Sequence, residues 1–191
     1  MAGVTAIHAL CSGLAQHLSR AYQLRPIAGL SCKFEPAGVT ELKKLDGQDS
    51  KLTLMVWRIG HNEQLRNRPA LQLPQGRVAA LSLNVHLLLS VWADTAMKEQ
   101  SLLGWVLREL LQRPVLDASV LGEGFGPDEQ VPLLAEDLSL DELSKLWQVL
   151  LPPLRPSLGF VARNVMLELD PEPDHGPVLA RRIALGAEVR P

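Results

Sequence analysis

Lys51-Leu-Thr-Leu-Met-Val-Trp-Arg-Ile59 is the stretch that constrains the fold most strongly. Side chains alternate between the two faces of an extended strand. The apolar residues of this stretch would therefore fall on both faces, with Leu52, Leu54 and Val56 on one and Met55, Trp57 and Ile59 on the other. A strand that is apolar on both faces belongs inside a sheet that is covered on both sides, or covered by a partner.

The flanking sequence predicts interleaved helices and strands. Helical spacing of apolar residues predicts helices over 4–24, 97–111 and 139–151, and extended patterns predict strands over 28–34, 81–92, 131–134, 157–169 and 178–185. The stretches 36–50 and 60–79 show no clean period and are predicted to be loops, the first with at most one helical turn. This irregular order predicts an α+β fold with a mixed β-sheet flanked by helices. Residues 1–170 are expected to form one domain, and residues 171–191 a C-terminal hairpin strand or tail.

Composition narrows the functional classes. The 191 residues are 47% hydrophobic and 21% charged, with a net charge of −2. This balance argues against a disordered chain, a general nucleic-acid binder and a polybasic membrane anchor. The most apolar run, 81–93, is shorter than the roughly 20 residues that span a bilayer, and the N-terminus lacks the pattern of a signal peptide. We therefore expect a chain made in the cytoplasm without a signal peptide, binding neither membrane nor nucleic acid.

The sequence shows no recognisable catalytic, cofactor or metal motif. Cys11 and Cys32 lie in no CxxC pair and are predicted to be buried thiols. His86 lies in an apolar strand, where bonding to the backbone is the expected role. The glycines of 122–126 lack the GK[ST] ending of a phosphate loop. We therefore expect a protein that is not an enzyme and holds no cofactor or metal.

Polar, arginine-bearing segments are the candidate contact sites. Guanidinium groups pair with carboxylates in a bidentate geometry that suits partner surfaces. The candidate partner-binding residues are Asn62, Arg66, Asn67, Arg68, Arg155, Arg181 and Arg182. Two other interpretations remain open. The segment with Asn62, Arg66, Asn67 and Arg68 also fits a solvated connector. Arg181 and Arg182 also fit a solvated edge strand.

Several ordered segments together resemble the cap, or tube-terminator, family of extracellular contractile injection systems. They are Val56–Ile59 with Asn62 and Leu65–Asn67, Leu81–Leu89, Glu99 with Leu102–Gly104, Pro114–Leu116, Leu138–Leu143 with Trp147, and Arg155–Leu158. The resemblance spans roughly residues 4–170. The chain departs from the family at Leu87 and Gly159, where members often carry an aromatic residue.

The resemblance implies a structural role and a phage tail-terminator-like fold. Such a protein is expected to sit as a ring of six copies on the last layer of the inner tube and to meet the end of the contractile sheath. Its partners would be itself and the tube and sheath subunits, in a particle that can be released from the cell. A baseplate or spike adaptor of the same particle and a small-molecule-binding domain remain the alternatives.

Overall fold

The computed structural model describes residues 3–45, 49–63, 71–73, 76–78, 80–150 and 153–169. The described helices are α1 (Ala6–Leu24), α2 (Val39–Leu42), α3 (Ala96–Gln112), α4 (Ala118–Leu121) and α5 (Leu140–Leu150). The described strands are β1 (Lys33–Pro36), β2 (Lys51–His61), β3 (Leu71–Leu73), β4 (Gly76–Val78), β5 (Ala80–Trp92), β6 (Val115–Leu116), β7 (Val131–Glu136) and β8 (Ser157–Glu168).

A six-stranded mixed sheet organises these elements, with the strand order β1-β2-β5-β8-β7-β6. β1 pairs with β2 in parallel, and every other pairing in this sheet is antiparallel. β3 and β4 pair with each other as a separate two-stranded sheet. The long strands β2, β5 and β8 therefore form the centre of the sheet, and the α+β architecture predicted from the sequence is confirmed.

Helices cover both faces of the central strands. On the first face, the α1 face, a large core joins α1, α3 and α4 to residues such as Leu54, Leu87 and Phe160. On the second face, the α5 face, a smaller cluster joins α2 and α5 to β2 and β5; its buried members are Leu42, Met55, Leu88, Trp92, Trp147 and Leu150. The two-sided apolar pattern of β2 has the predicted explanation as far as Trp57, because each face packs against helices. The prediction for Ile59 is corrected: beyond the register shift it pairs with Val85 of the α1-face core, so it leaves the face of Met55, and it is half exposed.

Local sequence explains where the main helices begin and end. α1 ends at Leu24, two residues before Pro26, which cannot continue a helix. The side chain of Thr95 accepts a hydrogen bond from the Lys98 amide and caps α3. Ser139 and Glu142 form the predicted capping box of α5, in which the Glu142 amide donates to Ser139 Oγ and the Ser139 amide donates to the Glu142 carboxylate.

A buried aromatic and charged cluster fixes α1 to α3. The rings of Tyr22, Phe34 and Trp105 lie within 4.9–5.8 Å of one another, centroid to centroid. The Trp105 indole donates to the Arg25 carbonyl, and the Arg25 guanidinium pairs with the buried Glu109 carboxylate at 2.6 Å. The end of α1 is thereby held against α3 by packing and by charge pairing.

Two β-bulges reshape the central strands. In β2, Trp57 is the extra residue, because Val56 pairs with Leu87 and Arg58 pairs with His86. In β8, two residues lie opposite Asn84, and one of them, Asn164, has a φ of 60°. Bulges increase the local twist and re-aim side chains. Both lie toward the end of the sheet where β2 finishes and β8 leads to residue 169.

Several predicted boundaries need correction. The predicted strand over 28–34 is shorter and later, at β1, because the Gly29 backbone turns with a φ of 72° before it. The loop predicted over 36–50 has the one helical turn that the prediction allowed, α2, whereas the loop predicted over 60–79 is corrected because it contains β3 and β4. The glycine-rich turn is preceded by α4 and includes a short 3₁₀ turn over Gly122–Gly124. The division at residue 170 and the predicted strand 178–185 lie outside the described residues.

Candidate assembly surfaces

Arg155 precedes β8 and is held within the chain. Its Nη1 lies 2.7 Å from Glu99 Oε1 on α3, and its guanidinium stacks 5.4 Å from the centroid of the Trp92 ring. Glu99 is buried, and the Arg155 side chain keeps 25% of its surface exposed. A buried carboxylate requires such a partner. Arg155 therefore has a role within the chain, as the partner of Glu99. Its predicted role as a partner contact stays a prediction.

Asn62 fastens the end of β2 across the sheet. Its side-chain amide donates to Asn164 Oδ1 at 2.6 Å, and its backbone amide donates to the Ser82 carbonyl. The acceptor is the residue of the β8 bulge with positive φ, so the bulge positions the oxygen that Asn62 reaches. Asn62 is thus held within the chain, and its predicted role as a partner contact stays a prediction. The other predicted contact residues, Arg66, Asn67, Arg68, Arg181 and Arg182, lie outside the described residues.

A histidine–glutamate pair crosses the α5 face of the sheet. Nδ1 of His86 on β5 lies 2.8 Å from both carboxylate oxygens of Glu136 on β7. β8 runs between these strands, and its Gly159 lies directly opposite Glu136, so no side chain intervenes there. The expectation that His86 bonds to the backbone is therefore corrected. The side-chain carboxylate of Glu136, two strands away on β7, takes that place.

The same face carries further polar groups around this pair. Trp57 packs edge-on against the His86 ring at 5.6 Å, and Arg58 lies opposite His86 on β2. Hydrogen bonds from Ser139 hold the pKa of Glu142 below its usual range, and the positive charge of Arg58 acts in the same direction. The α5 face therefore combines aromatic surface with charges of both signs.

Three buried polar atoms at this end of β2 and β5 have no hydrogen-bond partner in the described structure. They are Trp57 Nε1, Ser82 Oγ and Asn84 Oδ1. An unsatisfied buried polar group costs about 1–3 kcal/mol, so native proteins usually supply it with a partner. Their grouping on adjacent strands makes this end of the sheet a candidate for contact with another molecule.

An apolar groove of about 440 Å³ opens between α5 and the outer part of β2. Met55 and Trp57 line it from the sheet, and Leu146 and Val149 line it from α5. Val39 of α2 and the charged residues Glu142 and Lys145 also belong to its lining. Val149 is 72% exposed, which is high for a large aliphatic side chain at a concave surface. The groove can accept apolar side chains, with a charged group at its edge.

The described residues offer little for covalent chemistry. They contain no group of three or more His, Cys, Asp or Glu residues placed to hold a metal ion. Burial raises the pKa of Cys11 to about 11 and that of Cys32 to about 12, which suppresses the reactive thiolate of each. Ser12 lies 3.3 Å from His8 Nε2 on α1, but no described carboxylate bonds to His8 to orient it.

None of the described helices has both the length and the apolar character needed to cross a membrane.

The described fold and these surfaces can be compared with known proteins. A family model described as the Pvc16 N-terminal domain matches residues 7–181. The chain belongs to the Pvc16 N-terminal domain family. The match covers most of the chain, including the sheet, α3 and α5. The resemblance to the cap and tube-terminator family that the sequence segments indicated is thereby confirmed.

Two solved structures are similar to this chain, and the first of them shares its fold. One is the sheath/tube terminator in the extended state of an extracellular contractile injection system, PVC, with 16% identity and a TM-score of 0.56 over 98% of this chain. The other is the tube-terminating cap of the anti-feeding prophage, with 19% identity and a TM-score of 0.47, matching 73% of this chain and 51% of that one. This chain spans 65% of the length of the PVC protein. No curated protein sequence gives a significant match.

Sequence reasoning missed two features of these surfaces. The His86–Glu136 pair joins residues 50 positions apart, and only the β5-β8-β7 strand order reveals it. Gly159, which was noted as a departure from the family pattern, was the available signal. A glycine inside an apolar strand often marks a close approach of neighbouring groups. The sequence did not predict the groove either, because the groove depends on how α2 and α5 pack beside β2.

Proposed function

We propose that this protein is a structural cap that terminates the inner tube of a contractile, phage-tail-like injection particle and contacts the end of its sheath. The observation that carries the proposal is the family match over residues 7–181. The fold shared with a sheath/tube terminator over 98% of the chain supports it. The proposed role is structural, not enzymatic, and needs no cofactor.

A closed ring is the proposed form of the cap, with six copies as the expected number. Heterologous contacts between identical subunits close into a ring when their rotation is right, and such a ring can end a filament. The grouped unsatisfied polar atoms near the end of β2 support a surface that another subunit completes.

The proposed partners are other copies of the protein and the tube and sheath subunits. Among the candidate contact residues, Arg66, Asn67 and Arg68 follow Asn62, which the Asn164 contact holds at the end of the sheet. Arginines beside such a fixed point are suited to charge-paired contacts with a carboxylate-bearing rim. Arg155, Arg181 and Arg182 complete the proposed set. We further propose that the chain is made in the cytoplasm and leaves the cell as part of the particle.

Co-assembly of purified components tests the proposal directly. The protein is added to tube subunits as they polymerise, and tube lengths and tube ends are imaged by electron microscopy. We expect shorter tubes that carry a ring of extra density at one end, and weaker capping by the double variant Arg66→Ala/Arg68→Ala. Unchanged length distributions and bare ends, with folded protein present, would refute the capping role and favour an adaptor at the baseplate or spike.

A further inference from the structure

A hollow between the end of α1 and the middle of α3 combines arginines with apolar side chains. Its volume is about 480 Å³, and its lining includes Arg25, Ile27, Ser101, Gly104, Trp105 and Arg108. The Trp105 side chain is fixed in place, because its indole donates to the Arg25 carbonyl and its ring packs against Tyr22 and Phe34. A Cβ at Gly104 would meet nothing within 4 Å, so α3 leaves this space open. We call this concavity the arginine hollow.

The helical surface around the arginine hollow is basic. Over residues 15–25 and 104–113 the one acidic residue is Glu109, and it is buried and paired with Arg25. Four arginines of these two segments are exposed: Arg20, Arg25, Arg108 and Arg113. Arg108 forms no ion pair within the described part of the chain. A surface with such an excess of exposed cations favours a partner that carries carboxylates.

The opposite charge is concentrated in another part of the same chain. Residues 114–144 contain eight acidic residues and no lysine, arginine or histidine. They form β6, α4, β7 and the first part of α5. The small net charge of −2 therefore hides a division into a basic and an acidic region. Such a division favours contact between the acidic region of one copy and the basic region of another.

A rigid turn exposes one of these acids. The acidic turn, Gly126–Glu129, lies just before β7 and is closed twice: the Glu129 amide donates to the Gly126 carbonyl at 3.1 Å, and the Gly126 amide donates to Glu129 Oε2 at 2.7 Å. Phe125 is buried and anchors the turn, whereas Pro127 and Asp128 at its tip are exposed. Asp128 forms no ion pair with a described residue. A turn that is already ordered loses little entropy when it binds.

The arginine hollow and the acidic turn lie on opposite halves of the sheet. Trp105 packs against Phe34 of β1, the first strand in the sheet order, whereas the acidic turn leads into β7, the fifth strand. Four strand spacings amount to about 19 Å. The two features are therefore too far apart to meet within one copy, and only a second copy can bring them together.

We propose that the arginine hollow of each copy receives the acidic turn of the next copy. Pro127 packs on the apolar lining of the hollow, and Asp128 pairs with Arg108 and with the exposed part of Arg25. The contact uses different surfaces on its two sides, so its repetition closes a ring when the rotation is right. The inference rests on the proposed ring and names the two surfaces that form it.

Charge reversal in the co-assembly with tube subunits tests the proposal. The readout is the protein concentration at which half of the tube ends carry ring density. Arg108→Glu and Asp128→Arg each bring like charges together, so each should raise this concentration at least about tenfold. The chain with both changes should return to within about threefold of the parent, because the two coupled charges are exchanged. The matched reversals Arg163→Glu and Asp49→Arg, at exposed positions outside the two surfaces, should leave it unchanged.

Gly104→Tyr tests the hollow without a change of charge. The tyrosine ring would occupy the open space beside Trp105 and exclude Pro127, so it should also raise the half-capping concentration at least about tenfold. Gly104→Ala adds one methyl group and should cap as the parent does. Circular dichroism should show the parent helix content in both variants.

The outcomes separate this contact from the cap role itself. If the parent caps tubes and both single charge reversals or Gly104→Tyr cap equally well, the inference is overturned and the cap role stands. If the doubly reversed chain fails to recover, the pairing of these two surfaces is overturned. Bare tube ends with the parent protein would refute the cap and the ring contact together.

Discussion

At the scale of single residues, two buried glutamates depend on cations from other elements. Glu99 on α3 pairs with Arg155 before β8, and Glu109 on α3 pairs with Arg25 at the end of α1. Each carboxylate keeps about a tenth of its side-chain surface exposed. Removal of one member of such a pair leaves a charge with little water to solvate it. The two pairs fix α3 between the first helix and the last strand.

Replacement of Arg155 should lower the stability of the fold. Arg155→Ala removes the Glu99 partner and the contact with the Trp92 ring, and we expect a loss of about 1–3 kcal/mol because the arginine is partly exposed. Urea unfolding measures the change. Arg163→Ala, at an exposed arginine of β8, is the control and should change stability by less than about 0.5 kcal/mol. Equal effects of the two variants would mean that the Glu99 pair contributes nothing.

His17 should make stability depend on pH. Burial is the main cause that lowers its pKa from the usual 6.5, and the charge of Arg113 adds to this effect, against an opposing contribution from Glu109. The unfolded chain therefore binds the proton more readily than the folded one, and the free energy of unfolding should fall as pH drops below about 6.5. His17→Gln should reduce this slope.

The matched control for His17 lies on the same helix. His8 is exposed, and His8→Gln should leave the slope of stability against pH unchanged. Chemical unfolding at a series of pH values between 5 and 8 supplies both slopes. The explanation fails if the two variants have the same slope as the parent.

At the scale of elements, the capping box should support α5 and with it the groove wall. Ser139→Ala removes the side-chain oxygen that accepts from the Glu142 amide, and the typical loss for such a cap is about 1 kcal/mol. Ser144→Ala, in the exposed middle of α5, should be neutral or slightly stabilising because alanine favours helix. Thermal unfolding of both variants decides the matter, and an equal melting temperature for the two would contradict the cap.

Two glycines should respond to alanine in opposite directions. A Cβ at Gly159 would lie 2.4 Å from the Glu136 carbonyl oxygen, so β7 and β8 must shift, and we expect a loss of about 1–3 kcal/mol. A Cβ at Gly104 in α3 would meet nothing within 4 Å, and alanine there should stabilise the helix by about 0.5–1 kcal/mol. Gly159→Ala should therefore lower the melting temperature, and Gly104→Ala should raise it. A harmless Gly159→Ala would mean that the strands are not closely packed there.

The elements also show what the sequence could and could not predict. Helices α1, α3 and α5 and strands β2, β5, β7 and β8 were predicted because each carries a clear apolar period or a cap signal. β1 and α2 were misplaced or under-specified because they are short, and their positions depend on contacts with β2 and the α5 face. Local sequence carries little information about such elements, since tertiary packing decides them.

The candidate surfaces were less predictable for the same reason. The arginine segments were found as polar interruptions between apolar strands, which is a local signal. The two contacts of Arg155, with Glu99 and Trp92, join positions far apart in the chain and follow only from the fold. The His86–Glu136 pair likewise requires the β5-β8-β7 order, which apolar alternation does not determine.

At the scale of the whole molecule, the central claim is that the protein ends a tube. Its family membership and its sheet covered on both faces fit a rigid building block.

Electron microscopy of particles from the native host, with and without the coding sequence of this protein, tests that claim most directly. We predict that the deletion leaves no stable particles, or particles of abnormal length with ragged upper ends, and that the parent sequence restores them. The Ser144→Ala variant should restore them equally. Particles of normal length with a normal cap in the deletion strain would contradict the account.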